Sequence, residues 1–191
     1  MTDRTTGDDN STVKVPGKQP APRVRKVSWR ALHVNSRSEK KVMISLLGLG
    51  LEAYVPLVRT VRQWSDRKKK MEVPLLNGYV FVRAADADFD EVVRTKGVVR
   101  FVRSEGKIAT VRDVEISRLK QLAELGYETE AGAIAKKYSE GDRVRITSGP
   151  LSGIEGYIGQ SGSSKVLEVL LESIGQSIRV RVPAALIESI Q

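Results

Sequence analysis

The chain contains no cysteine and only one histidine, His33, among its 191 residues. The first absence excludes disulfides, thiol nucleophiles and thiolate-ligated metals. The second argues against a histidine-built metal site or a catalytic triad, since a lone imidazole cannot supply either. No apolar run is long enough to span a bilayer, which takes about 18 residues or more. The opening stretch, Met1 to Asn10, has no apolar segment and predicts no signal peptide. Phosphate loops, nucleophile elbows and repeated carboxylate constellations are also missing from the sequence. These absences predict a cytoplasmic, non-enzymatic protein with no metal and no cofactor.

Apolar residues make up 40% of the chain, enough for a core, and the length suits one domain or two small ones. The net charge of +9 is unevenly placed. Residues 1–27 hold 6 Lys/Arg against 3 Asp/Glu, residues 28–125 hold 19 against 12, and residues 126–191 hold 7 against 8. The middle segment is therefore the one suited to nucleic acid or another acidic surface, while the near-neutral C-terminal segment is better suited to protein. The polar, proline-bearing stretch 1–27 buries too little to offset ordering entropy and reads as a disordered tail. Residues 126–137 lack periodicity and read as a linker between a domain at 28–125 and another at 138–191.

Trp29 to Val34 alternates as a strand, with Trp29, Ala31 and His33 on one face. Ser36 and Glu39 suggest a capping box before a helix whose apolar stripe is Val42, Met43, Leu46 and Leu49. Leu51 to Trp64 reads as one long strand, Ser65 to Lys70 as a charged turn, and Met71 to Arg83 as a strand broken at Pro74 and Asn77-Gly78. A short helix at 86–96, a strand at 98–102, an extended piece at 108–111 and a helix at 113–125 follow. The order predicts an α+β fold: an antiparallel sheet with helices on one face, related to ferredoxin-like folds. From Tyr138 onward five short strands (142–147, 154–159, 165–172, 176–182 and 185–190) predict a small barrel.

Tyr138 to Ile158 reads YSEGDRVRITSGPLSGIEGYI, two strand-like runs joined through Gly149-Pro150 and Gly153, with Gly156 where a side chain would crowd a small barrel. It resembles a KOW motif, the signature of SH3-like barrels. The opening strand WRALHV at 29–34 and VPLLNGYVFV at 73–82 resemble the first strand and the PLFPGYVFV hallmark of the NusG N-terminal (NGN) domain. In this order and spacing, the three stretches identify the chain from about Ser28 onward with the NusG family of transcription elongation factors. GVVRFVR at 97–103 and RQWSDRKK at 62–69 are closer to its specialised paralogues, RfaH and the UpxY antiterminators of surface-polysaccharide operons. Leu76-Asn77 departs from the family's Phe-Pro and suggests a partner surface tuned away from the general factor.

The resemblance implies a factor that grips the clamp helices of RNA polymerase, suppresses pausing and promotes read-through of specific operons, associated with the nucleoid through the polymerase. The positions matching the grip are His33, Tyr54, Pro56, Leu76 and Tyr79, with Phe101 nearby; an aromatic and aliphatic concavity suits a helix-in-groove contact. Ordinary core packing is the competing reading for Tyr54, Tyr79 and Phe101, and a satisfied strand histidine for His33. Arg37, Lys40, Lys41, Arg67, Lys68, Lys69 and Lys70 are the candidate nucleic-acid contacts, toward a displaced non-template strand on which Trp64 could stack. A solvated charged turn is the alternative there. Leu151, Ile154 and Ile174 stand where relatives carry the exposed Phe patch that binds a small-subunit ribosomal protein or Rho; for Ile154 and Ile174 barrel core is the alternative. Two further readings stay open: a general NusG-type elongation and termination factor, and a KOW-containing ribosomal or rRNA-binding protein, which a barrel of net charge −1 disfavours.

Overall fold

The computed structural model of the chain describes residues 26–63, 68–125, 138–161, 164–182 and 184–190. In chain order the elements are β1 (Ser28–Val34), α1 (Glu39–Gly48), β2 (Glu52–Tyr54), β3 (Leu57–Gln63), β4 (Lys68–Pro74), β5 (Tyr79–Ala84), α2 (Phe89–Arg94), β6 (Val98–Phe101), β7 (Arg103–Ser104), β8 (Lys107–Ile108), β9 (Thr110–Val111), α3 (Asp113–Leu125), β10 (Arg143–Ile146), β11 (Glu155–Ser161), β12 (Ser164–Leu171), β13 (Gln176–Val180) and β14 (Ile187–Ser189). The fold class is α+β, as expected. The expected linker and Trp64 to Arg67 lie outside the described residues, as does the tail before Lys26.

The N-terminal sheet runs β2-β5-β1-β6, with β9 pairing the start of β1. Its centre is β1 against β5, antiparallel, with Ala31 opposite Phe81 and His33 opposite Tyr79. Alternation sends Leu32, Val34, Val80 and Val82 to one face, where Val42 and Leu46 of α1 and Val92 of α2 cover them. Trp29, Ala31 and Phe81 go to the other, where Ile116, Leu119 and Leu122 of α3 cover them. Helices therefore flank both faces, not one. The reason lies in β5, whose YVFV run is buried on both sides and needs apolar cover on both.

Two further local expectations change. The strand expected over 51–64 divides at Val55-Pro56: β2 stays in the main sheet, and β3 leaves it to form a separate hairpin with β4. Proline has no amide hydrogen to continue the ladder, and the Pro56 carbonyl instead accepts the Leu75 amide at 2.7 Å. Lys68 to Lys70, expected in a turn, form the start of β4 and pair in register with Gln63, Arg62 and Val61.

The C-terminal sheet is antiparallel in the order β13-β12-β11-β10-β14 and closes around Val144, Ile146, Ile158, Leu167, Val169, Leu171, Ile178 and Ile187. The buried Tyr138 hydroxyl donates to the Ile187 carbonyl at 2.7 Å, pinning the chain's entry to the last strand. The two halves share one continuous buried apolar cluster, and a buried carboxylate ties them together at its edge. Glu115, in the first turn of α3 and 0% exposed, accepts from the Ser173 amide at 3.1 Å and from the Ser173 hydroxyl. It also accepts from the Arg112 amide at 3.0 Å and Arg112 Nε at 3.3 Å, while Arg112 reaches Glu172 at 2.7 Å. Burial opposes the charge on Glu115, yet these hydrogen bonds outweigh it and hold the carboxyl below its ordinary range.

At Gly156 an added Cβ would lie 2.4 Å from the Glu168 carbonyl oxygen, a backbone atom that cannot swing away. At Gly159 the obstruction is the Glu168 side chain, 2.6 Å from such a Cβ, which can turn aside at the expense of its ion pair with Arg179 at 2.8 Å. Gly156→Ala should therefore lower stability by about 1–3 kcal/mol or more, the usual cost of overpacking. Gly159→Ala should cost less; denaturant unfolding of the two variants checks the order.

Candidate functional site

The apolar positions singled out from the sequence come together at one end of the N-terminal sheet. His33 lies near the end of β1, Tyr79 begins β5 directly opposite it, and Tyr54 ends β2 opposite Phe81. The His33 and Tyr79 rings lie 4.6 Å apart, centroid to centroid, tilted by 50°. Leu76 and Tyr79 are buried in the cluster that also takes in Tyr54 and Leu75, and the Leu75 amide is tied to Pro56. Positions from 33 to 79 in the chain thus form one apolar and aromatic cluster, with Tyr54 and His33 half-buried at its edge. Phe101 is not part of it. It packs on the opposite face, its ring 4.5 Å from that of Phe89, and is core.

What shapes this end of the sheet is Glu39, which the sequence pattern places in a cap. Ser38 is the N-cap of α1 but makes no side-chain cap hydrogen bond, and Arg37 before it has φ 62°. Glu39 is buried and its Oε1 accepts the Gly78 amide at 2.8 Å, while the Gly78 carbonyl accepts the Val34 amide at 2.9 Å. Gly78 has φ +76°, a conformation glycine adopts without strain. One carboxylate thereby holds the turn between Leu76 and Tyr79. The only sequence signal for it is a Glu at the start of a helix, which reads equally well as a local cap.

The ionisable groups of the cluster are perturbed by burial. Tyr54 is pushed up to about 12 by desolvation and by Glu124, and Lys120 Nζ lies 5.6 Å from its ring centroid. Burial also raises Tyr79, against an opposing pull from Arg100. His33 is lowered by burial and by Arg100, its partner in the β1–β6 register, which keeps the imidazole neutral near pH 7. Among the described residues no group of His, Asp and Glu could hold a metal ion.

The basic positions divide. Arg37 and Lys41 are exposed, and Lys40 forms an ion pair with Glu72 of β4 at 3.1 Å. That contact brings the start of α1 beside the hairpin bearing Lys68, Lys69 and Lys70. Arg67 and Trp64 lie outside the described residues. The expected barrel patch is corrected: Leu151, Ile154 and Ile174 are all buried in the core, so they form no exposed patch. Packing of this short barrel sends them inward, and the large apolar side chains it leaves exposed are Tyr157 and Leu170 among the described residues.

Known proteins similar to this chain share one family name. The family described as "Transcription termination factor nusG" matches residues 27–120. The transcription termination/antitermination protein NusG of Borreliella burgdorferi is 26% identical over 85% of this chain and 98% of its own length. The NusG of Deinococcus radiodurans is 27% identical over 82% of this chain and 95% of its own. The solved structure of Thermotoga maritima NusG, described for its domain interaction, matches at 25% identity with a TM-score of 0.53, over 87% of this chain and 98% of that one.

Because His33 is the only histidine, its ring signal in an NMR titration is unambiguous. Its midpoint should lie below 6.5, and Arg100→Gln should raise it without restoring the full value, since burial remains. The unfolded chain binds the proton more tightly than the folded one. His33 should therefore leave stability unaffected well above pH 6.5 and reduce it as pH falls from there to the lowered midpoint.

Proposed function

Given that this chain belongs to the NusG family of transcription factors, we propose that it binds elongating RNA polymerase through the cluster of His33, Tyr54, Pro56, Leu76 and Tyr79. The observation that carries this reading is the convergence of His33, Tyr54, Leu76 and Tyr79 at one end of β1, β2 and β5, with the Pro56 carbonyl tied to the neighbouring Leu75 amide. The cluster takes an apolar helix of the polymerase clamp, Tyr54 and His33 supplying half-buried aromatic edges with polar tips. Bridging the clamp suppresses pausing and carries the polymerase through terminators. Arg37, Lys40, Lys41 and Lys68 to Lys70 then contact the phosphates of the displaced non-template strand, adding affinity without reading sequence.

Operon-specific antitermination is the leading form of this activity, supported by the paralogue-like segments at 62–69 and 97–103. A general elongation and termination role is the second reading, favoured by curated relatives that are matched over nearly their whole length and are named termination/antitermination proteins. Binding of a ribosomal protein or Rho through the barrel would need a surface other than Leu151, Ile154 and Ile174.

Single-round transcription on templates with a pause site and a terminator tests the proposal. The protein should shorten pauses and raise read-through. Dependence on a leader sequence near the promoter would identify a specialised factor, and equal action on unrelated templates a general one. Tyr54→Ala and Leu76→Glu should each weaken binding to core polymerase by about tenfold or more, the range of a buried hot spot, with circular dichroism confirming the fold. Alanine at Lys68, Lys69 and Lys70 should flatten the salt dependence of binding to the elongation complex, by about one unit of slope for each phosphate no longer neutralised. Failure of the native protein to bind core polymerase would end this reading.

A further inference from the structure

We propose that the cleft between α3 and the outer face of β11 and β12 is a docking site for an extended protein segment that carries an apolar side chain next to a single carboxylate. The cleft, of about 220 Å³, has walls from both halves of the molecule. Val114 and Arg118, one helical turn apart, come from α3. Tyr157 and Leu170 come from neighbouring strands: Tyr157 pairs with Glu168, and Leu170 stands two residues further along β12 on the same face. The Glu115 contact with Ser173 sets these walls against each other.

Three apolar residues meet here exposed: Val114 at 48%, Tyr157 at 45% and Leu170 at 37%. Alternation explains why Tyr157 and Leu170 face away from the barrel core, but nothing in the fold of either half uses them. They offer an apolar side chain a floor shared by the two sheets.

Charge selects the rest of the ligand. Glu172 is paired with Arg112 at 2.7 Å, and Glu155 with Arg143 and Arg145 at 2.9 and 2.6 Å, so these charges compensate one another. Arg118 is half-buried and has no ion pair or hydrogen bond among the described residues. A guanidinium without an acceptor is a site for one anionic group. With those pairs neutralised, Arg118 is the one cationic group of the lining left without a partner among the described residues, which matches a protein segment with one acidic group better than the repeated phosphates of a nucleic-acid strand.

Panning a peptide-display library on the full-length protein, then measuring a synthetic peptide of the recovered consensus by fluorescence anisotropy, tests this. Recovered peptides should share an apolar residue within two positions of one Asp or Glu. Arg118→Glu and Leu170→Ser, both surface changes, should each weaken the peptide at least tenfold. Exchanging the peptide's acid for Lys should restore binding to Arg118→Glu. Glu115→Gln should weaken binding too, because the cleft needs both walls. Recovery of no such consensus, or affinity unchanged in Arg118→Glu, overturns the proposal. So does a labelled 12-nucleotide oligothymidylate that binds in an Arg118-dependent way and displaces the peptide, which would assign the cleft to nucleic acid. The outcome is independent of polymerase binding, since none of these residues belongs to the cluster around His33 and Tyr79.

Discussion

The antiparallel register of β1 against β5, with Ala31 opposite Phe81 and His33 opposite Tyr79, is the constraint on which the N-terminal half rests. Side chains alternate along both strands, so this register decides which residues meet α1 and α2 and which meet α3. A slip by one residue would exchange the two faces: it would carry His33 away from Tyr79 and put Leu32 where Ala31 now packs. Because β1 also pairs with β6 and β9, the same strand sets the Arg100 position that lowers His33. Burial on both faces makes the register expensive to change, and the candidate binding cluster inherits that rigidity.

Two buried carboxylates organise what the sheets leave open. Glu39 and Glu115 each occupy the first turn of a helix, where the dipole favours a negative charge. Each also accepts a backbone amide from a distant turn: Gly78 for Glu39 and Ser173 for Glu115. A charge taken out of water is costly unless hydrogen-bonded, so each contact is both satisfied and demanding. Loss of either donor would leave a carboxylate stranded. One such contact shapes the turn beside Tyr79, and the other joins the halves and brings Val114 and Arg118 against Tyr157 and Leu170. The same kind of interaction thus supports both surfaces to which a partner is assigned.

Much of the fold is legible in the sequence because it is local. The alternation in β1 and β13, the apolar stripe of α3 and the turn at Gly149 and Gly153 depend on residues within a few positions. The close approach at Gly156 is legible from the glycine itself. Lys68 to Lys70 escape such a reading because a charged run resembles a turn, and only pairing with Val61 to Gln63 makes it a strand. Ser36 and Glu39 resemble a capping box for a similar reason: the local pattern is compatible with a cap, but the Gly78 amide, 39 positions away, takes the carboxylate. Leu151, Ile154 and Ile174 lie between strands and match a patch only by position in a motif, which carries no information about whether a turn residue packs inward.

The sequence by itself determined the class of protein: charge concentrated in the middle segment, no thiol chemistry, one imidazole, and motifs sufficient to indicate the family. The resemblance to the family's motifs also named the residues of the candidate cluster. Only the tertiary structure decided that they adjoin one another, that helices cover both faces of the sheet, and that Tyr157 and Leu170 are the large apolar residues the described barrel exposes. The physical reason is separation along the chain. Cross-strand register and the capture of a buried carboxylate by a remote amide join residues tens of positions apart, and the choice among such partners is made by burial, which exists only once the chain has folded.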